Sequence, residues 1–118
     1  MPLMKRNSRA RSQLQQQYAA LRQSLALIGY ISDGSVLDRA RLKPPRSGFQ
    51  WTRKVGQKTV TIALSADQFQ AMKQAIQNGR QLRKTIHAME ALSRRILFST
   101  MPDTRRFRPL KSKDLRLV

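Results

Sequence analysis

The segment GFQWTRKVGQKTVTIAL, residues 48–64, constrains the fold more than any other part of the chain. Two runs of aromatic, β-branched and polar residues flank Gly56-Gln57, and a two-residue turn with glycine first suits a type II′ hairpin. With the turn there, Val55 opposes Lys58, Arg53 opposes Val60, Trp51 opposes Ile62 and Phe49 opposes Leu64, all on one face. Lys54 then opposes Thr59, Thr52 opposes Thr61 and Gln50 opposes Ala63 on the other. A one-residue slip would exchange the faces, so this clean sorting of apolar from polar residues supports the register. The apolar face requires a cover, because an isolated hairpin is marginal in water. The polar face stays open, and Gln50, Thr52, Lys54, Thr59 and Thr61 are expected to contribute to a binding surface.

Helices on either side can supply the cover. Ser65-Ala-Asp-Gln68 is a capping-box signature, with Gln three residues after Ser. Phe69, Met72, Ile76, Leu82, Ile86, Met89, Leu92 and Ile96 recur at helical spacing after it. That predicts one helix to about Phe98, roughly 48 Å long at the standard rise. Asn78-Gly79 interrupts the pattern as a bend or a point of close packing. Upstream, Leu14, Tyr18, Leu21, Leu25 and Ile28 step by four and three residues from about Ser8, and Gly29 supplies a stop. Between helix and hairpin, Asp33-Gly34 reads as a turn, and Pro44-Pro45 excludes regular helix. The expected architecture is α+β: a helix, a basic loop, a two-stranded antiparallel hairpin, a long C-terminal helix and basic tails. Residues 1–7 read as a basic N-terminal arm, 8–98 as one domain and 99–118 as a basic tail. The two helices are expected to be antiparallel neighbours closing over Phe49, Trp51, Ile62 and Leu64.

Charge narrows the function. Lys and Arg number 24 against 6 Asp and Glu, a net charge of +18 on 118 residues. A compact body with that charge repels itself, so an anionic partner is the natural explanation, nucleic acid ahead of an acidic membrane surface. Arg39, Arg41, Lys43, Arg46, Arg53, Lys54 and Lys58 lie between Asp38 and Asp67 with no acid among them. The long helix carries Lys73, Arg80, Arg83, Lys84, Arg94 and Arg95 against Glu90 alone. The tail adds Arg105, Arg106, Arg108, Lys111, Lys113 and Arg116. A solvated surface normally interleaves signs. One such cluster could be a solubilising face, but these three together with Lys5, Arg6, Arg9 and Arg11 at the start of the chain favour phosphate neutralisation, which releases counterions and supplies sequence-independent affinity. Arginine outnumbers lysine, which suits bidentate phosphate or guanine contacts. The expected nucleic-acid-binding residues are Arg39, Arg41, Lys43, Arg46, Arg53, Lys54, Lys58, Arg80, Arg83, Lys84, Arg105, Arg106 and Arg108.

Other chemistries find little support. The chain has no cysteine and a single histidine, His87, so thiolate and His-rich metal sites are excluded and no metal or cofactor is expected. Six scattered acids do not make the carboxylate cluster of a metal-dependent nuclease. Gly48 and Gly56 read as turn residues, since neither GxxxxGK[ST] nor GxGxxG occurs. No enzyme is expected. Trp51 could stack a base, but its register beside Ile62 favours a core role. Asp38 reads as a partner of Arg39, Arg41 or a helix end. No apolar stretch approaches the roughly 18 residues of a membrane span, and no apolar core follows the basic start as in a secretory signal.

The order of features resembles a family of short, uncharacterised bacterial and archaeal proteins associated with mobile elements and transposase genes. GSVLDR at 34–39, GFQW at 48–51 and the stretch from Gly56 to Leu97 carry the resemblance, which spans roughly residues 29–98. The family places cysteines in the loop where this chain has RARLKPPRSG, so any metal or redox role of that loop is lost here. The resemblance implies a mobile-element context. Together with the charge it leads to the expectation of a cytoplasmic, nucleoid- or ribonucleoprotein-associated accessory protein without enzymatic activity. It would bind DNA or RNA backbone and dock on a larger nucleoprotein machine. The alternative is a helical interaction module that dimerises through its long helix or docks on a transposase-like or ribonucleoprotein partner. A subunit completing another chain's active site is a third reading.

Overall fold

The computed structural model describes residues 2–101, with side chains from Arg9 onward. In chain order the elements are α1 (Pro2–Leu25), β1 (Ser35–Asp38), a short 3-10 turn (Arg39–Arg41), β2 (Phe49–Val55), β3 (Lys58–Leu64) and α2 (Ala66–Thr100). They fall into two compact units, residues 28–83 in one and the residues up to Leu27 with those from Lys84 in the other. The boundary lies inside α2.

The chain is α+β, as expected, and its sheet lies in the unit of residues 28–83. β2 and β3 pair in the expected register, from Phe49 opposite Leu64 to Val55 opposite Lys58. Gly56 adopts φ 65° and no residue other than glycine has positive φ among those described, which fits a II′ turn with glycine first. The sheet has a third strand where a loop was expected: β1 pairs antiparallel with β2, Val36 opposite Trp51 and Asp38 opposite Phe49. Four residues are too few to display a period, and the pairing is held from outside the strand. Gly34, at φ 85°, lets the chain turn into β1 so closely that a Cβ there would lie 2.6 Å from the Thr52 carbonyl oxygen and 2.7 Å from Trp51 Nε1. Trp51 Nε1 donates to the Asp33 carbonyl at 3.0 Å. The indole is half-buried beside this turn.

α2 starts one residue after β3, and the capping box forms as its sequence implies. Ser65 Oγ accepts from the Gln68 amide at 3.1 Å, and Gln68 Oε1 accepts from the Ser65 amide at 2.9 Å. Phe69, one turn in, stacks on Phe49 with ring centroids 4.5 Å apart. Ala75 and Ile76 are buried further along. The cover reaches only part of the sheet, since Ile62 remains 48% exposed, Val60 38% and Val55 49%. The expected closure over Ile62 is therefore incomplete.

Gly79 does not break α2. A Cβ at this position would lie 2.5 Å from the Ser32 carbonyl oxygen, so glycine admits the backbone of residues 30–32 onto the helix. The Ser32 amide donates to the Ala75 carbonyl at 3.0 Å, and Asn78 Nδ2 donates to the Tyr30 carbonyl at 2.9 Å. Close packing is the outcome at Asn78-Gly79.

In the other unit, α1 runs antiparallel to the C-terminal half of α2. Tyr18 shares a cleft with Ile96 and Leu97, and Leu21 shares another with Ala88 and Leu92. Among its described residues Leu92 and Thr85 are buried. α1 starts at Pro2, ahead of the expected Ser8, with proline at the first helical position where its missing N–H is no loss. It also ends at Leu25, short of Ile28. Ser24 Oγ donates to the Leu21 carbonyl at 2.6 Å, a local bond that competes with helix continuation. The Ala26 and Leu27 amides then close tighter bonds to Gln23 and Ser24.

Candidate nucleic-acid interface

Most of the basic residues of the unit of residues 28–83 lie on two surfaces. One is the polar face of the sheet together with the loop after β1. Asp38 Oδ1 accepts from the Ala40 amide at 3.0 Å, so this acid caps the 3-10 turn, one of the partners expected for it. The Gly48 carbonyl accepts from the Arg39 amide, and the Arg39 carbonyl accepts from the amides of Leu42 and Arg46. These bonds gather the loop around Arg39 and leave Arg41, Lys43 and Arg46 exposed. Arg39 Nε donates to Gln50 Oε1 at 3.3 Å, laying the guanidinium against the face that also carries Thr52, Thr61 and Lys54. The two threonine hydroxyls lie 3.4 Å apart.

The hairpin does not gather its own bases. Arg53 and Lys58 share the Trp51 face, whereas Lys54 points the opposite way. Arg53 is drawn to Asp33, with Nη1 3.8 Å from Oδ1, the one lysine or arginine paired to a carboxylate among the described residues.

The second surface is a groove of about 180 Å³ lined by Ser35, Val36, Lys73, Ile76, Gln77 and Arg80. Lys73, Gln77 and Arg80 step by four and three residues, which places them on one face of α2 beside the outer edge of β1. Arg83, one turn beyond Arg80, closes this unit's stretch of α2. Nothing acidic interrupts the helix between Asp67 and Glu90. Sequence reasoning gave Arg80, Arg83 and Lys84 as contacts but did not single out Lys73, Gln77 or Ser35. The helical spacing from Lys73 to Lys84 could have found the first two; Ser35 could not be placed without β1. Arg105, Arg106 and Arg108 lie outside the described residues.

Among the described residues no three His, Cys, Asp or Glu side chains gather where they could hold a metal ion, and no helix is long and apolar enough to cross a membrane. His87 Nδ1 lies 3.9 Å from Glu90 Oε1, one turn along an exposed helix face. Comparison with family models, curated proteins and solved structures returned no match.

Proposed function

We propose that the protein is a non-enzymatic nucleic-acid-binding accessory factor that grips phosphate backbone through lysine and arginine and docks on a larger nucleoprotein machine. The observation that carries this reading is the acid-free stripe Lys73–Gln77–Arg80 beside β1. From Lys73 to Arg80 the helix rises about 10 Å, enough to reach neighbouring phosphates of one backbone. Gln77 and Ser35 add hydrogen-bonding groups that position a backbone without reading sequence. The exposed loop bases Arg41, Lys43 and Arg46 supply further charge. The resemblance to proteins of mobile elements fits a partner of this kind, and a cytoplasmic, nucleoid- or ribonucleoprotein-associated setting follows from the same reading.

The test is a salt titration of binding to duplex DNA and to structured RNA, comparing wild type with Lys73→Ala/Arg80→Ala. Losing two phosphate contacts should flatten the log–log salt slope by about two units and weaken binding on any sequence. Unchanged binding by the double variant removes the groove from the interface. No binding by wild type at low salt removes the whole proposal.

A second reading, a helical protein-docking module, is favoured by the other unit. Leu97 is 51% exposed and borders an open apolar cleft with Tyr18, Ala19 and Ile96. Pull-down from host extract with and without nuclease distinguishes the two readings, because a protein partner held by this cleft survives nuclease.

A further inference from the structure

Among the described residues no strand pairs with the outer edge of β3, and β3 is exposed along its length except at Leu64. Folded proteins usually guard such an edge with charge, proline or a bulge. The opposite edge, β1, is four residues long and runs beside Lys73 and Arg80. β3 has no comparable guard. It is seven residues long, and from Thr59 to Leu64 it contains neither a charge nor a proline. Its apolar face, Val60 and Ile62 with neighbouring Val55, is the portion of the sheet that α2 leaves uncovered.

We infer that β3 pairs antiparallel with β3 of a second copy about a two-fold axis at Thr61, joining two three-stranded sheets into one. The direction of the backbone groups supports this register. Across a two-residue turn, Val55 and Lys58 form a hydrogen-bonded pair, and the alternation turns Lys58, Val60, Ile62 and Leu64 toward β2. Thr59, Thr61 and Ala63 therefore present their N–H and C=O groups outward. An axis at Thr61 sets Thr61 against its copy and Thr59 against the copy's Ala63, so every outward group within β3 finds a partner. On the apolar face, Val60 meets the copy's Ile62 in the closer, non-hydrogen-bonded pairing, where β-branched side chains interact well.

Charge selects the occupant. A strand without lysine or arginine from residue 59 to 64 offers nothing to phosphate in a chain of +18, whereas an identical strand matches it group for group. Like-charge repulsion does not oppose the pairing locally. Each Lys58 lies opposite the copy's Leu64, so the two ammonium groups sit about 20 Å apart along the strands, beyond the screening length of physiological salt.

The chain lacks cysteine, so single-cysteine variants report the register cleanly. Thr61→Cys, treated with the thiol oxidant diamide, should give a covalent dimer, since hydrogen-bonded partners have Cα atoms about 5.5 Å apart, within disulfide range. Thr59→Cys should not, because its two copies lie about 14 Å apart along the strands. Light scattering on nuclease-treated protein at about 0.5 M salt, where bridging by nucleic acid is suppressed, should give twice the chain mass of 13.6 kDa. Thr61→Pro removes an outward N–H without touching the bonds to β2, and Ile62→Lys places a charge on the shared apolar face. Each should raise the dimer dissociation constant about 100-fold or more, an effect on the scale of about 2.7 kcal/mol. A monomeric wild type, equal cross-linking at residues 59 and 61, or a Thr61→Pro variant that dimerises like wild type would overturn the inference.

Discussion

Gly79 has no room for a side chain. Placing a methyl 2.5 Å from the Ser32 carbonyl oxygen forces backbone apart from backbone. Gly79→Ala should therefore cost about 1–3 kcal/mol as overpacking, against a gain in helix propensity of at most about 1. The check is a urea melt, in which the variant should have a lower midpoint and an unchanged slope. Trp51 tests a different kind of contact. Its ring is half-buried and its indole N–H is satisfied by Asp33, so Trp51→Ala should cost about 2–3 kcal/mol, below the 3–5 of a fully buried aromatic. A variant of wild-type stability that no longer binds nucleic acid would instead make Trp51 a stacking platform.

At the scale of elements, what could be read in advance depended on reciprocity. The β2–β3 register was legible because Gly56-Gln57 fixes the turn and puts Trp51 against Ile62, Phe49 against Leu64 and Thr52 against Thr61, and the start of α2 because Ser65 and Gln68 bond each other. β1 was not legible, since its placement depends on Gly34 fitting against Trp51, a contact between distant positions in the chain. The end of α1 was missed for a similar reason: Ile28 continues the apolar spacing, yet the Ser24 hydroxyl bond and the tight turn after it end the helix at Leu25. The basic clusters were legible as composition, but their division between opposite sheet faces, and the inclusion of Lys73 and Gln77 in a groove, required the fold. Two tests belong here. Ser65→Ala should cost about 1 kcal/mol by removing the cap, read as a lower melting midpoint. Lys54→Ala and Lys58→Ala should each leave stability nearly intact, as exposed charges contribute little. Because those lysines lie on opposite faces, binding by the two single variants identifies the face that meets nucleic acid; equal losses would mean that both do.

For the molecule as a whole, the net charge of +18 sets the expected response to salt. If about six phosphates are neutralised, log affinity should fall with log salt at a slope near −5 on B-form DNA. Fluorescence anisotropy across a salt series measures it, and a slope near zero would show that charge is incidental to binding. Single-stranded nucleic acid should give a shallower slope for the same number of contacts, about −0.7 rather than −0.9 per phosphate. The ratio of the two slopes therefore tests whether the same lysines and arginines engage both forms.

The notch at Asn78-Gly79 bears on how freely this protein can change its sequence. Helix and crossing chain meet there through main-chain atoms and one amide side chain, while Tyr30 and Ile31 project outward, 93% and 52% exposed. The notch dictates the path of residues 30–32 but leaves the identity of residues 30 and 31 open. Those two positions can be recoded, or given a new recognition sequence, without renegotiating the contact that holds them.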